Sequence, residues 1–287
     1  MKTQAFPHKE ISPNIFEIGE FDCASVFLLI GDEKAMLIDT GVGIGDLKGF
    51  VEKLTDKPLM VCYTHNHIDH VGGACAFDHA YIHPKDMADF SNGGGIGLSL
   101  EARRGYAKWI AEREKGNYPY QPEVDITEWG PQPPLFPLED GQIIDLGNRK
   151  VSVIDCPGHT AGSIAFLDEN SRTLFLGDAC NCNLLLGRAK RGTPNFVSIE
   201  KTLSHLKRLQ NLHAAYDRYF NGHYDYRAFG EPLGEDALRD AITACEQIVA
   251  GTAEVVVKPS PFPNAPDQHV VTIGRTSISF DPQGIHE

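Results

Sequence analysis

No stretch of this 287-residue chain approaches the ~18 consecutive apolar residues of a membrane-spanning helix, so a helical membrane protein is excluded. The opening residues, MKTQAFPHKEISPNIFEIG, hold no apolar core and no small-residue cleavage pattern, so no secretory signal is expected. Cysteines are few, odd in number and scattered (Cys23, Cys62, Cys75, Cys156, Cys180, Cys182 and Cys245), and none forms a CxxC pair. That usage fits a reducing cytoplasm better than a disulfide framework. Basic residues are in deficit, 26 Lys plus Arg against 39 Asp plus Glu, for a formal charge of -13. Phosphate backbones are held by basic surface, so nucleic acid is not expected as a partner. Low-complexity tracts and exact repeats are missing too. What is present is ordinary for a globular protein: 41% hydrophobic and 23% charged residues, enough for a sizeable core in one large α/β domain spanning 1–287.

The first part of the chain alternates short strands with turns. NIFEIG, SVFLLIG and KAMLIDTG are apolar runs closed by Gly or Asp. Leu47, Phe50, Val51 and Leu54 recur at helical spacing, and PLMVCYTH then reads as a buried strand. A second strand-rich stretch starts near Gly141 and contains one amphipathic helix, with Ile199, Leu203, Leu206 and Leu209 on one face. A last helix is expected over roughly 235–250, followed by closing strands. The two halves, each with strands first and a helix after, hint at an approximate duplication. Residues 93–137 interrupt this pattern. A GGGIG start leads into a helix-like segment carrying Tyr106 and Trp109, and then into NYPYQPEVDITEWGPQPPLFP, whose six prolines predict irregular chain. A segment this long reads as an insertion that could cover a site as a lid.

The chemistry concentrates in THNHIDHVGG, residues 64–73. His65 and His67 stand at i and i+2, which in extended chain puts both imidazoles on one side. Asp69 and His70 follow after a turn and need not face the same ion. Two glycines then allow a tight turn and close packing. Three more metal-capable side chains each follow an apolar strand: His159 in CPGHTAGS, Asp178 in LFLGDA and His223 in YFNGHYD. Groups at strand ends can converge on one sheet edge. A lone histidine is usually structural; the pattern of seven points to metal. The thiols of Cys180 and Cys182 could touch a metal, although packing as small side chains is their simpler role.

In this order HxHxDHxGG, PGHTxGS, a strand-end GD and a later GH resemble the metallo-β-lactamase superfamily of metallo-hydrolases, over about residues 15–225. The resemblance implies an α/β fold, an αββα sandwich of two mixed sheets with outer helices and metals at one edge. It implies a first metal on His65, His67 and His159, a second on Asp69, His70 and His223, and Asp178 bridging them. Two ions per chain are implied, with zinc the best match to five imidazoles and two carboxylates, and iron or manganese as alternatives. A metal-activated hydroxide would attack an acyl carbonyl or a phosphorus, with Asp69 orienting the nucleophile and passing protons. Asp39, in LIDTG, together with Thr160 and Ser163, would support the ligands from behind.

The substrate is less legible. Without a secretory signal, and with Asp178 where two-zinc β-lactamases commonly carry Cys, a dedicated β-lactamase is disfavoured. The acidic charge argues against an RNA nuclease, and the basic C-terminal glutathione-binding pattern of glyoxalase II is missing. The expected substrate is a small ester, lactone, thioester or lactam. Tyr106, Trp109 and Arg188 are candidate substrate contacts, with Tyr118, Tyr120, Trp129, Lys190 and Arg191 as neighbours that could equally be packing or solvated. The alternatives are a mononuclear-iron persulfide dioxygenase, a phosphodiesterase and a non-catalytic metal-binding protein. Oligomeric state is open, a homodimer among the options.

Overall fold

A computed structural model describes residues 5–90, 99–114, 117–128, 130–187, 189–224, 226–259 and 267–287. Strands β1 (His8–Ser12), β2 (Ile15–Glu20), β3 (Ala24–Ile30) and β4 (Ala35–Ile38) form an antiparallel meander. Helix α1 (Leu47–Leu54) carries the chain to β5 (Leu59–Cys62), parallel to β4. The one-turn helix α2 (Ile68–Val71) precedes β6 (Ala80–Ile82), and α3 (Pro84–Phe90), α4 (Leu100–Arg113) and α5 (Pro122–Asp125) precede β7 (Leu135–Pro137). Strands β5, β6 and β7 add in parallel, completing a mixed sheet in the order β1-β2-β3-β4-β5-β6-β7.

The second sheet holds β8 (Ile143–Asp145), β9 (Lys150–Asp155), β10 (Ile164–Asp168), β11 (Thr173–Phe175) and β13 (Arg218–Phe220), in the order β13-β11-β10-β9-β8. A third sheet, beyond the two expected, runs β12-β16-β15-β14 and is built from β12 (Asn183–Leu186), β14 (Val256–Lys258), β15 (Gln268–Ile273) and β16 (Thr276–Phe280). Helices α6 (Ile199–Asn211) and α7 (Asp236–Val249) match the two helices expected in this half.

Period-two alternation builds the layers. On β3 and β4, Phe27, Leu29, Met36 and Ile38 face inward onto Val151, Val153, Ile164, Phe166, Phe175 and Phe220 of the second sheet. The Phe27 and Phe175 rings lie 4.8 Å apart at its centre. Val26, Leu28 and Leu37 point the other way, onto Leu47, Val51, Ala107 and Ile110 of α1 and α4. On the far side, Ala165, Leu167 and Leu174 pack with α6, α7 and the small third sheet. Each fully buried Leu, Ile or Phe contributes about 1.5–3 kcal/mol. The result is the expected αββα sandwich.

One sequence expectation changes. The proline-rich segment contains regular structure: Pro122 opens α5, and β7 is the sheet's edge strand, ending at Pro137. At a first helical turn and on a sheet edge proline's missing N–H costs little. The described part of 93–137 is packed into the body of the fold. Arg103, Ala107, Ile110, Tyr120 and Ile126 are buried, and β7 extends the main sheet.

Candidate metal centre

The C-terminal ends of five strands meet at one edge of the sandwich. β4 is followed by Asp39, β5 by the segment 63–70, β9 by the loop bearing His159, β11 by Asp178 and β13 by His223. All seven expected ligands come together there. His65 Nε2 lies 3.1 Å from His67 Nδ1, which lies 2.8 Å from His159 Nε2. In a second group His70 Nε2 is 3.9 Å from Asp69 Oδ2, and His223 Nε2 is 3.6 Å from that same oxygen. Asp178 stands between the groups. Its Oδ1 is 3.7 Å from His70 Nε2, while its Oδ2 is 3.7 Å from His159 Nε2 and 3.3 Å from His223 Nε2. The sets His65/His67/His159, His65/His70/Asp178 and Asp69/His70/His223 each keep their candidate ligand atoms within 4.8 Å of one another, close enough to hold an ion.

The i, i+2 pair does face one way, but with different nitrogens, because His67 is already the extended N-cap of α2 while His65 lies in the preceding loop. Helix α2 then turns Asp69 and His70 toward the second group. The glycines serve close approach: a Cβ on Gly72 would stand 2.4 Å from the Val42 backbone, and one on Gly222 would stand 2.6 Å from His70 Cε1.

Supports behind the ligands fix which nitrogen faces the centre. Asp39, with φ at +63°, accepts from Thr64 N and Thr64 Oγ1 at 2.8 Å, and its Oδ2 takes His70 Nδ1 at 2.8 Å. Thr64 Oγ1 in turn lies 3.0 Å from His65 Nδ1. Thr160 and Ser163 hold the turn after His159: Thr160 Oγ1 donates to Asp86 Oδ2 at 2.8 Å, and Thr160 N donates to Ser163 Oγ at 3.0 Å. Tyr106 donates its hydroxyl to Asp69 Oδ2 at 2.6 Å. Its ring lies 5.8 Å from that of Trp109, which is 38% exposed. Arg188 and Trp129 lie outside the described residues. Tyr120 is packing, its hydroxyl donating to the Ala107 carbonyl at 2.8 Å, and Tyr118 packs edge-on to Phe21 at 5.6 Å. Arg191 donates to the Glu287 carbonyl, and Cys180 and Cys182 are buried in the outer core.

Sequence reasoning misses three supports. Buried Asp86 accepts from Asn66 N, between His65 and His67, at 3.0 Å and from Gly162 N at 2.7 Å, so one carboxylate ties the two ligand loops together. Buried Glu20 accepts from the backbone N–H of Val42, Gly43 and Ile44 at 2.5–2.7 Å. Burial raises its pKa to about 8 against the lowering effect of those donors. Arg227 pairs with buried Glu17 at 2.7 Å and donates to Asn221 Oδ1 at 2.9 Å, two residues before His223. Nothing in the local sequence around these residues marks such roles.

The electrostatics fit cations. Burial, and then the neighbouring imidazoles of His70, His67 and His159, hold the His65 pKa well below its ordinary value, which leaves its ring neutral with a free lone pair. His70 goes the other way: burial lowers its pKa, but the Asp69, Asp39 and Asp178 carboxylates outweigh this and raise it to about 9. Burial raises the Asp178 pKa, but His223 and His70 overcome this and hold it well below its ordinary range. His70 Nε2 and Asp178 Oδ1 are buried without a hydrogen-bond partner. Orphaned polar atoms of this kind are costly unless something binds them. The donor set of imidazole and carboxylate with two orphaned atoms fits metal ions, which His65, His67 and His159, or Asp69, His70 and His223, would hold, with Asp178 between the two groups.

The sequence profile of the metallo-beta-lactamase superfamily matches residues 19–229. The human protein named acyl-coenzyme A thioesterase MBLAC2 is 29% identical over 192 residues, covering 60% of this chain and 66% of that protein, just under two thirds of its length. Among solved structures, a metallo-beta-lactamase family protein of Thermus thermophilus superposes with a TM-score of 0.55 at 19% identity, covering 84% of this chain and 82% of that one. The inverting sec-alkylsulfatase Pisa1 of Pseudomonas sp. gives a TM-score of 0.59 at 16% identity, covering 86% of this chain and 42% of that one. At such identities the superpositions bear on the fold alone, and the profile match over most of the chain carries the assignment. This chain belongs to the metallo-beta-lactamase superfamily.

Proposed function

We propose that the chain is a metal-dependent hydrolase of acyl thioesters with two zinc ions per subunit. The observation that carries the metal assignment is Asp178, whose two oxygens lie 3.3–3.7 Å from the imidazoles of both ligand groups. The choice of thioester within the expected range of ester, lactone, thioester and lactam rests on similarity to the human acyl-coenzyme A thioesterase. The odd number and scatter of the seven cysteines suit the reducing compartment expected from the sequence.

Metal at this site would supply Lewis acidity and a bound water whose pKa approaches ~7. The protein's own groups do the rest. Asp69 Oδ2 is fixed by the Tyr106 hydroxyl, so the carboxylate cannot rotate freely and keeps one orientation toward His223. Burial holds the Tyr106 pKa well above its ordinary value, which makes the phenol a permanent donor to Asp69. Burial raises the Asp69 pKa, but His70 and His223 outweigh it and hold the carboxyl below its ordinary range. The carboxylate is thus available to orient an attacking water and accept its proton. A thioester asks little of a general acid, because a thiolate with a pKa of about 8.5 leaves unaided near neutral pH. The rings of Tyr106 and Trp109 offer an apolar wall for the acyl chain.

Metal analysis of the purified protein, joined to turnover on a panel of acyl-coenzyme A thioesters, lactones, β-lactams and phosphodiesters, tests this reading. The expected result is two zinc per chain with thioesters turned over fastest. One iron per chain with oxygen consumption, or no thioester turnover by the metal-loaded protein, refutes it.

A further inference from the structure

The small third sheet ends in a strand with an open side. Its order β12-β16-β15-β14 leaves β14 with a single strand neighbour, β15, among the described residues. Every residue from Glu254 to Lys258 is exposed, and Val255, Val256 and Val257 are 42%, 50% and 56% exposed. Successive side chains on extended chain point to opposite faces, so the exposed Val256 and Val257, with Val255 exposed just before them, mean that neither face of this strand is covered. Natural edges are normally guarded by charge, proline or a bulge. The edge strand β1 has such guards, with His8, Lys9 and Glu10 along it and a register break between Glu10 and Ser12. The edge strand β7 ends in Pro137. In β14 the register against β15 is regular, and its guards stand only at the C-terminal end, where Lys258 closes the strand and Pro259 follows, leaving Val256 and Val257 open.

Glu254 and Lys258, which flank the valines, select an occupant. When EVVVK is laid antiparallel on itself and centred on Val256, Glu254 falls opposite Lys258 of the second copy at both ends. Val255 then falls opposite Val257, and Val256 opposite itself. A parallel pairing in register would set Glu against Glu and Lys against Lys, which directly opposed strand residues penalise. A twofold interface requires a patch that complements itself, and this segment does so in charge, in shape and in β-branched composition.

We propose that β14 is a homodimer interface: two copies pair their β14 strands antiparallel about a twofold axis at Val256, joining two four-stranded sheets into one of eight. The backbone N–H and C=O groups along the open side form the ladder, the valines pack across it, and the Glu254–Lys258 pairs fix the register. A ladder this short covers less than the ~1,200 Å² of a standard interface, so the dimer dissociates on dilution.

Sedimentation velocity of the full chain over a range of concentrations tests the proposal. The expected result is a reversible monomer–dimer equilibrium. Val256→Lys, which sets two ammonium groups face to face on the axis, should weaken dimerisation at least tenfold. Val256 is half exposed and its strand carries no candidate ligand, so circular dichroism and metal content should stay unchanged. Glu254→Lys alone should also weaken the dimer at least tenfold, and the double variant Glu254→Lys/Lys258→Glu should return it to within threefold of the starting affinity. A chain that stays monomeric at every concentration overturns the proposal. So does a dimer indifferent to these variants, or one that the double variant fails to restore.

Discussion

Asp39 Oδ2 lies 2.8 Å from His70 Nδ1 and 2.8 Å from Thr64 Oγ1, so one buried carboxylate oxygen governs both groups of candidate ligands. Its bond to His70 commits Nδ1 as the donor and leaves Nε2 aimed at the centre. Through Thr64 Oγ1, 3.0 Å from His65 Nδ1, the same logic leaves His65 Nε2 free. The residue adopts left-handed backbone at φ +63°, a conformation that costs a non-glycine residue about 1–2 kcal/mol. Local strain is accepted here because the position serves two imidazoles at once.

Replacing this carboxylate by an amide should therefore loosen metal without unfolding the chain. Supports of this kind are typically worth 10–100-fold in metal affinity. For Asp39→Asn we expect a loss in that range, measured by competition with a chelator of known affinity. Unchanged affinity would mean that the tautomers are set by the metals rather than by Asp39.

Asp178 lies 3.3–3.7 Å from imidazoles of both candidate ligand groups, so under the proposed two-metal scheme its loss should differ in kind from the loss of a terminal ligand. Asp178→Ala is expected to reduce bound metal from two per chain to one or fewer, and His67→Ala to remove chiefly one. Both should lower turnover at least a hundredfold while far-ultraviolet circular dichroism stays native. Two firmly held metals in Asp178→Ala would remove the bridge from the scheme.

The parts of this centre that are legible in the sequence share a signature. His65, His67, Asp69, His70, His159, Asp178 and His223 are metal-capable types placed just after apolar strands, and strand ends gather at an edge whatever the loop lengths between them. Asp86, Glu20 and Arg227 lack that signature. Each works through partners 20 to 210 residues away, and in one dimension each looks like any solvated charge. Tyr106 falls between these cases. Its candidacy as a substrate contact is readable from the aromatic pattern, but its hydroxyl contact with Asp69 depends on how α4 docks. The third sheet escapes for a related reason: β12 pairs with β16 across about ninety residues of chain.

Tyr106→Phe isolates that contact. The phenyl ring keeps the packing and loses only the hydrogen bond to Asp69 Oδ2. Hydrogen bonds to charged groups are worth about 1.5–3 kcal/mol, so kcat should fall about ten- to a hundredfold with metal content still at two. A lower metal content with normal turnover per metal would assign Tyr106 to metal retention instead.

The metal-free protein should carry an unusual pH dependence. His70 is raised to about 9 by Asp69, Asp39 and Asp178, against burial. A group raised above its unfolded value stabilises fully below about 6.5, and that stability is lost as pH rises through the folded value. Asp178, lowered by His223 and His70 against burial, contributes above about 4 and is lost as pH falls. Chelated protein should therefore lose thermal stability between about pH 6.5 and 9. Metal on His70 Nε2 displaces that proton, so the loaded protein should show little of this loss. Parallel curves for the two forms would show that His70 is neutral without metal.

Asp86→Ala should reveal a support that carries no metal of its own. Its carboxylate takes Asn66 N at 3.0 Å, Gly162 N at 2.7 Å and Thr160 Oγ1 at 2.8 Å, and it is buried between two ligand loops. Each abandoned buried donor costs about 1–3 kcal/mol, and because the three share one acceptor their costs do not add fully. A total of about 3 kcal/mol corresponds to a melting temperature lowered by roughly 6–12 °C for a chain of this size. The loops concerned carry His65, His67 and His159, whereas His70 is held by Asp39, and Arg227 braces Asn221, two residues before His223. Metal titration of the variant should thus weaken one site by tenfold or more and leave the other close to its original affinity. Equal weakening of both would mean that the two ligand groups move as one rigid unit.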